Sequence, residues 1–348
     1  MALGGVALLA ALWGGLVRLG WRLPVIGLAL AGLHGPLMVA GFLGTVIGME
    51  RAVALGRRWG YLAPLGTGLG ALALVAGSPA GIGPALMTLG SATLVIVFGA
   101  ILRRQWALFT AVMALGAVAW LAGQLLWLAG WPIHRVVPWW VGFLVLTIAG
   151  ERLELSRLLR LSDGSRAAFL GASALFVSGL LLTTVAFDLG VRVLGAGLVA
   201  LALWLGSQDV ARRTVRQPGL TRFIALCLLS GYVWLGISGG VALIWGGVGA
   251  GAHYDALVHA LFLGFVFAMI FGHASIIFPA ILGLPISFRP AFYGHLVLLH
   301  ATLGLRVAGD LIPSLPARQW GGLLNVVALL LFFANTAYGV LRPTTPAR

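Results

Sequence analysis

The chain has 348 residues, of which 61% are hydrophobic and 9% are charged, and its mean hydropathy is +1.06. Soluble domains of this length carry far more charge, and apolar stretches of about 20 residues are typical of helices that span a bilayer. The net charge of +14 does not indicate nucleic-acid binding, because arginines of membrane proteins gather in cytoplasmic loops. A lone cysteine, Cys227, excludes an intrachain disulfide framework, a CxxC site and the CxxCH attachment of a c-type haem.

The apolar runs predict an all-α polytopic membrane bundle of 12 transmembrane helices, with the lipid bilayer as its surroundings. The first run lacks a basic start and a small-residue cleavage site, so we expect it to be a retained helix. The predicted spans are 2–19, 24–48, 60–77, 81–102, 105–130, 136–150, 167–186, 190–206, 219–247, 255–283, 289–309 and 319–341.

Arginine placement predicts the orientation of these helices. Sixteen of the 22 basic residues, all of them arginines, lie in loops that follow even-numbered spans. Because arginines favour the cytoplasmic side, we expect both termini in the cytoplasm and the protein in the cell's inner (plasma) membrane. The six on the other side are Arg18, Arg22, Arg135, Arg192, Arg306 and Arg318.

An internal repeat divides the chain. The first copy, GFLGTVIGMER at 41–51, returns as the second copy, GFLVLTIAGER at 142–152, with six of eleven positions identical. The third copy, GFVFAMIFGHA at 264–274, is weaker and places His273 where the others have Glu50 and Glu151. The copies end spans 2, 6 and 10, which predicts one membrane domain over 1–348 made of three four-helix pseudo-repeats, 1–102, 103–210 and 211–348. The alternative is chance similarity between helix ends of similar composition.

Histidines are the candidate functional residues. An ionisable side chain inside the hydrocarbon zone is costly and points to function by default, and neutral imidazole is a common ligand of haem iron and copper. The alternative for each is a hydrogen bond to a neighbouring helix. The seven are His34, His134, His253, His259, His273, His295 and His300.

Helix geometry limits which histidines can share a metal. His259 and His273 lie on one face of a helix but about 21 Å apart at 1.5 Å per residue, so they could serve two separate metal centres and never a single one. His34 lies on a span that runs in the same direction, so His34 and His259 are predicted as the two axial ligands of one b-type haem. His295 and His300 point about 140° apart on the next helix.

Further side chains complete the predicted site. His273, His295 and His300 are candidates for a copper or second haem centre. Arg306 is a candidate for binding a haem propionate, and it can also pair with Asp310 one turn later. The Glu–Arg pairs that end the first two copies are expected to be solvated.

Two motifs carry a family resemblance. The pattern H-x3-M-x2-G-F at His34, Met38, Gly41 and Phe42, and the segment HALxxG at His259, resemble the NnrS family, membrane proteins associated with haem, copper and bacterial nitric-oxide stress. The start at His34 also resembles helix 2 of haem–copper oxidase subunit I, which has twelve helices in a pseudo-three-fold arrangement. The oxidase copper motifs, a histidine with its tyrosine in helix 6 and a histidine pair in helix 7, are missing here.

The resemblance implies a membrane protein that binds haem b, with copper as a further metal, in nitric-oxide response or respiratory electron transfer. Its expected partners are a redox protein or a small gas ligand such as nitric oxide. Two alternatives stay open: a transporter or exporter that uses intramembrane histidines, and a membrane anchor subunit for a periplasmic redox partner.

Overall fold

The computed structural model describes residues 1–24, 30–159 and 161–342. Within these ranges every regular element is helical. Residues 25–29 of the second predicted span, Arg160, and residues 343–348 at the end of the third predicted repeat lie outside the described part.

In the described chain each of the twelve predicted spans overlaps one helix, and several helices extend beyond the predicted bounds. The twelve helices are α1 Ala2–Arg18, α2 Leu30–Leu55, α3 Leu62–Val75, α4 Ile82–Arg104, α5 Leu108–Leu128, α6 Ile133–Leu155, α7 Asp163–Leu182, α8 Phe187–Gln208, α9 Gly219–Trp245, α10 over 252–282, α11 Phe292–Leu311 and α12 Leu315–Leu341.

Nine of the described helices are long and apolar enough to cross a membrane, namely α2, α4 to α10 and α12, and α1 is a shorter apolar helix. Large apolar side chains on their outer faces are exposed, among them Leu89 and Ile96 of α4 and Val233 of α9. The chain is therefore an all-α protein that passes the membrane several times. That all twelve helices cross it stays a prediction.

The helices form two compact units, Met1–Glu151 and Arg152–Arg348, and the boundary falls inside α6. In the first unit α1 packs on α2 and α3, α3 packs on α4, and α4 packs on α5. Helix α6 lies against α5, where Trp120 and Phe143 stack with ring centroids 4.5 Å apart. Both rings are fully buried, so the core of this unit is aromatic at the α5–α6 contact.

In the second unit α8 packs between α7 and α9, α9 packs on α10, and α12 packs on α11. The α7–α8 contact is close because it uses glycine: a Cβ on Gly179 would lie 2.2 Å from the backbone nitrogen of Leu194. Small residues of this kind let membrane helices approach closely and gain van der Waals contact.

Two helices contain a π-helical segment at the same position of the repeat. In α2 the segment is Leu37–Leu43, and in α10 it is Ala260–Phe267. Each begins four residues before the glycine that opens its copy, Gly41 or Gly264. Wide turns of this type inside α-helices are rare and frequent at functional sites. Helix α6, which carries the second copy, is α-helical through its whole length.

Candidate functional site

His34 lies three residues before the π segment of α2. Its Nδ1 is 2.6 Å from the carbonyl oxygen of Ala11 in α1. A carbonyl only accepts, so Nδ1 carries the ring proton and the lone pair is on Nε2. Gly15 of α1 makes room for the ring, because a Cβ there would lie 2.9 Å from it. Any metal bound by this ring would be bound through Nε2.

His259 is the last residue before the π segment of α10. Its Nδ1 is 2.9 Å from the carbonyl oxygen of Asp255 and 3.2 Å from Oδ1 of the same residue. Both acceptors put the ring proton on Nδ1, as at His34, and place the lone pair on Nε2. Imidazoles that bind metals are usually held in this way by a carbonyl or carboxylate.

Arg306 of α11 is joined to His259 through Asp255. Its Nε lies 3.0 Å from Oδ2 of Asp255, and its Nη2 lies 3.1 Å from Oδ1 and 2.9 Å from Oδ2. The Arg306 side chain is 8% exposed, so this bidentate pair is largely shielded from solvent. Asp310, the carboxylate that we expected beside Arg306, forms an ion pair with Arg318 at the start of α12.

His273 has a different set of contacts. Its Nδ1 is 2.7 Å from the carbonyl oxygen of Met269, so its Nε2 also carries the lone pair. That nitrogen lies 3.2 Å from Nη1 of Arg152, which donates to it. A metal at His273 would take the place of this guanidinium.

Arg152 forms a buried ionic cluster that the sequence did not reveal. We expected it to be solvated at a helix end, but its side chain is 2% exposed. Its Nε is 3.1 Å from Oδ2 of Asp209, which is fully buried, and the same oxygen accepts a 2.8 Å hydrogen bond from the Tyr232 hydroxyl. Oδ1 of Asp209 accepts from the backbone N–H of Ala211 at 2.7 Å. The scarcity of acidic residues, eight in the chain, is the one signal that could have pointed to this pair.

The other two candidate ligands hold the opposite tautomer. Nδ1 of His300 accepts from Trp234 Nε1 at 2.9 Å, so its proton is on Nε2, which lies 2.8 Å from Ser230 Oγ. Nδ1 of His295 lies 3.1 Å from Asn335 Nδ2, which also places the proton on Nε2. Both ring nitrogens of His300 therefore contact residues of α9, whereas Nδ1 of His295 contacts a residue of α12.

His295 is fully buried among aromatic rings. Its Nε2 has no hydrogen-bond partner in the described part of the chain. The ring meets Phe271 edge to face, with centroids 4.8 Å apart. It also lies near the rings of Phe223, Phe292 and Phe332.

The predicted ligands are thus brought together in part. His259 and Arg306 share Asp255, and His273 contacts Arg152, whereas His295 and His300 face different helices. His34 belongs to the first unit and His259 to the second. Among the residues that the structure describes, no group of three or more His, Cys, Asp or Glu side chains is placed to hold a metal ion.

Fold and composition define an α-helical, multi-pass membrane protein. Within that class the chain belongs to the family described as Domain of unknown function (DUF8744), whose model matches residues 1–341. Comparison with the curated proteins gives no match.

Proposed function

We propose that this protein binds haem b in the inner (plasma) membrane through His34 and His259, and that it serves nitric-oxide response or respiratory electron transfer. One observation carries the proposal: the two histidines precede π segments of matching register, and both rings have Nδ1 on a carbonyl oxygen. Rings fixed in this tautomer have the ligand atom, Nε2, already selected. The NnrS-like motifs at the same two histidines support it independently.

The two imidazoles are the chemical kind of donor that binds haem iron. Two neutral imidazoles are a common axial pair for haem iron, which would supply one-electron redox chemistry when bound. Asp255 engages Nε and Nη2 of Arg306, so a propionate contact would use Nη1. The chain's own residues orient the two rings and keep the surroundings apolar, as α10 does with eight consecutive buried residues, Ala260–Phe267.

Copper is the less favoured metal. A copper centre at His273, His295 and His300 would need their ligand nitrogens to converge. His300 has both ring nitrogens in contact with α9, and Nε2 of His273 lies on Arg152. We therefore propose haem b as the cofactor and keep copper as the second possibility.

We further propose that the three copies mark pseudo-repeats of four helices, with twelve crossings and cytoplasmic termini. The shared start of the π segments relates the first copy to the third. A second relation supports it: Arg51 of the first copy pairs with Glu151 of the second, and Arg152 of the second contacts His273 of the third. In both cases an arginine contacts the glutamate position of the next copy.

Visible absorption tests the cofactor. Protein purified in detergent should show a Soret band and a reduced-minus-oxidised α-band, and metal analysis should find iron. His34→Ala and His259→Ala should each abolish a bis-histidine spectrum. His134→Ala, at the start of α6, the helix that carries the second copy and has no π segment, is the matched control and should leave it unchanged. A wild-type protein without bands and without iron or copper contradicts the proposal.

Addition of nitric oxide distinguishes a role in nitric-oxide response from a role in respiratory electron transfer. A spectral change when nitric oxide is added to the reduced protein supports a gas response. Rapid oxidation and reduction by a redox protein, with a spectrum insensitive to nitric oxide, supports electron transfer.

A transporter is the second candidate, and the buried ion pairs favour it. Arg152–Asp209 and Arg306–Asp255 lie on apolar helices or at their ends, where ionisable residues often mark a substrate path. Transporters commonly carry inverted repeats, whereas four-helix units repeat in parallel. Uptake by proteoliposomes with haem-free protein would decide for transport, and co-purification of a second chain would favour the anchor subunit.

A further inference from the structure

We propose that Asp255 is a positioning residue that sets the electron-donating strength of His259, and that Arg306 limits this effect. The inference rests on the proposed haem ligation and goes beyond it, because it names the residues that would tune the iron. Its basis is the chain of contacts from His259 through Asp255 to Arg306.

Asp255 holds the His259 ring with two acceptors. Its backbone carbonyl lies 2.9 Å from Nδ1, and its carboxylate Oδ1 lies 3.2 Å from the same atom. The side chains of His259 and Asp255 are 14% and 20% exposed. Electrostatic interactions are stronger where water is largely excluded. Solvent therefore screens the interaction between the Asp255 carboxylate and the His259 ring only weakly.

A carboxylate on Nδ1–H makes an imidazole a stronger base at Nε2. A more basic ligand stabilises ferric over ferrous iron, so the contact lowers the reduction potential. At His34 the acceptor is a peptide carbonyl, that of Ala11. The two proposed ligands would therefore differ in donor strength.

Arg306 opposes this effect. Its guanidinium engages both carboxylate oxygens at 2.9–3.1 Å, and a bidentate pair of this kind is a strong, charge-assisted interaction. The positive charge draws electron density from the carboxylate and weakens its hold on the His259 N–H. Removing Asp255 and removing Arg306 should consequently shift the potential in opposite directions.

The test is a redox titration of the purified holoprotein at fixed pH. Asp255→Asn keeps the backbone carbonyl but removes the charge. We expect its reduction equilibrium to move toward ferrous iron by about tenfold, the lower end of what loss of an outer-shell partner costs in metal affinity or activity, and for one electron this is about 59 mV more positive. Arg306→Gln should move it toward ferric iron.

The double variant, Asp255→Asn with Arg306→Gln, distinguishes two routes by which Arg306 changes the reduction potential: through Asp255, or directly on the haem. If Arg306 acts through Asp255, Arg306→Gln should have little effect in the Asp255→Asn background. An equal effect in both backgrounds overturns that step. Thermal unfolding of each variant reports a structural loss, which would not move the potential in two directions.

The outcomes distinguish the inference from the proposed function. Wild-type protein without haem overturns both. Wild-type protein with haem, whose potential is unchanged in Asp255→Asn, overturns the inference alone. Loss of haem from Asp255→Asn together with an unshifted potential in Arg306→Gln also overturns it.

Discussion

The guanidinium of Arg152 lies 3.2 Å from Nε2 of His273, the residue that replaces glutamate in the third copy of the repeat. In the first unit, Arg51 makes the corresponding contact with Glu151. The histidine thus serves as the acceptor that a glutamate supplies elsewhere. This relation gives His273 a role in helix packing that requires no metal.

His273→Leu should destabilise the protein, because it removes the acceptor from a buried guanidinium. We expect a loss of about 1–3 kcal/mol in the free energy of unfolding, the cost of an unmet buried donor. His273→Gln keeps a neutral acceptor and should lose less. Thermal unfolding in detergent, followed by tryptophan fluorescence, measures both, and equal losses would show that Arg152 does not depend on this contact.

Breaking the buried Arg152–Asp209 ion pair should lower the free energy of unfolding strongly. Removing one partner leaves a buried charge, so Asp209→Ala should cost roughly 3–5 kcal/mol. The matched control is the exposed pair of Glu154 and Arg157, with side chains 38% and 61% exposed. Glu154→Ala should cost less than about 1 kcal/mol. Similar unfolding temperatures for the two variants would contradict the buried pair.

Tyr232→Phe tests the same cluster without removing a charge. It deletes the 2.8 Å hydrogen bond from the hydroxyl to Asp209, and bonds to charged groups contribute about 1.5–3 kcal/mol. The unfolding temperature should fall, and by less than in Asp209→Ala. A change as large as that of Asp209→Ala would mean that the Tyr232 hydroxyl, rather than the Arg152–Asp209 ion pair, supplies most of the stability of this cluster.

Gly264→Ala should disturb the π segment of α10. A Cβ at this position would lie 2.3 Å from Cγ of Trp234, whose Nε1 donates to His300. Overpacking of a core costs about 1–3 kcal/mol. Gly240→Ala on α9 is the control, since a Cβ there meets nothing within 4 Å. It should be close to neutral, and a neutral Gly264→Ala would contradict the close approach of α9 and α10.

His300→Ala separates a structural histidine from a ligand. Both ring nitrogens contact α9 residues, Ser230 and Trp234, so the variant should lower the unfolding temperature and leave any haem spectrum unchanged. A spectrum lost from a still-folded His300→Ala protein would return His300 to the set of metal ligands.

The positions of the twelve helices could be predicted because apolar runs are separated by arginine, glycine and proline in this chain. The π segments could not, since they depend on how the second and tenth helices pack against neighbours. The burial of Arg152 was missed because its partner, Asp209, is distant in sequence and meets it only in the fold. The tautomers of His34 and His300 also depend on neighbours that no local pattern identifies.

The proposed role of Asp255 shows the same limit. From the sequence, Arg306 and Asp310 were a plausible pair one turn apart on α11. In the fold Arg306 turns to Asp255 of α10, and Asp310 turns to Arg318 of α12. The ion pairs of both residues are thus made between helices, and one of them connects Arg306 to a histidine.

The reduced-minus-oxidised spectrum of the purified protein, recorded with its iron content, tests the central claim most directly. We predict a b-type α-band and Soret band in the wild type and in His134→Ala, and their loss in His34→Ala and His259→Ala. A wild-type protein that is folded, free of iron and without these bands would contradict haem binding.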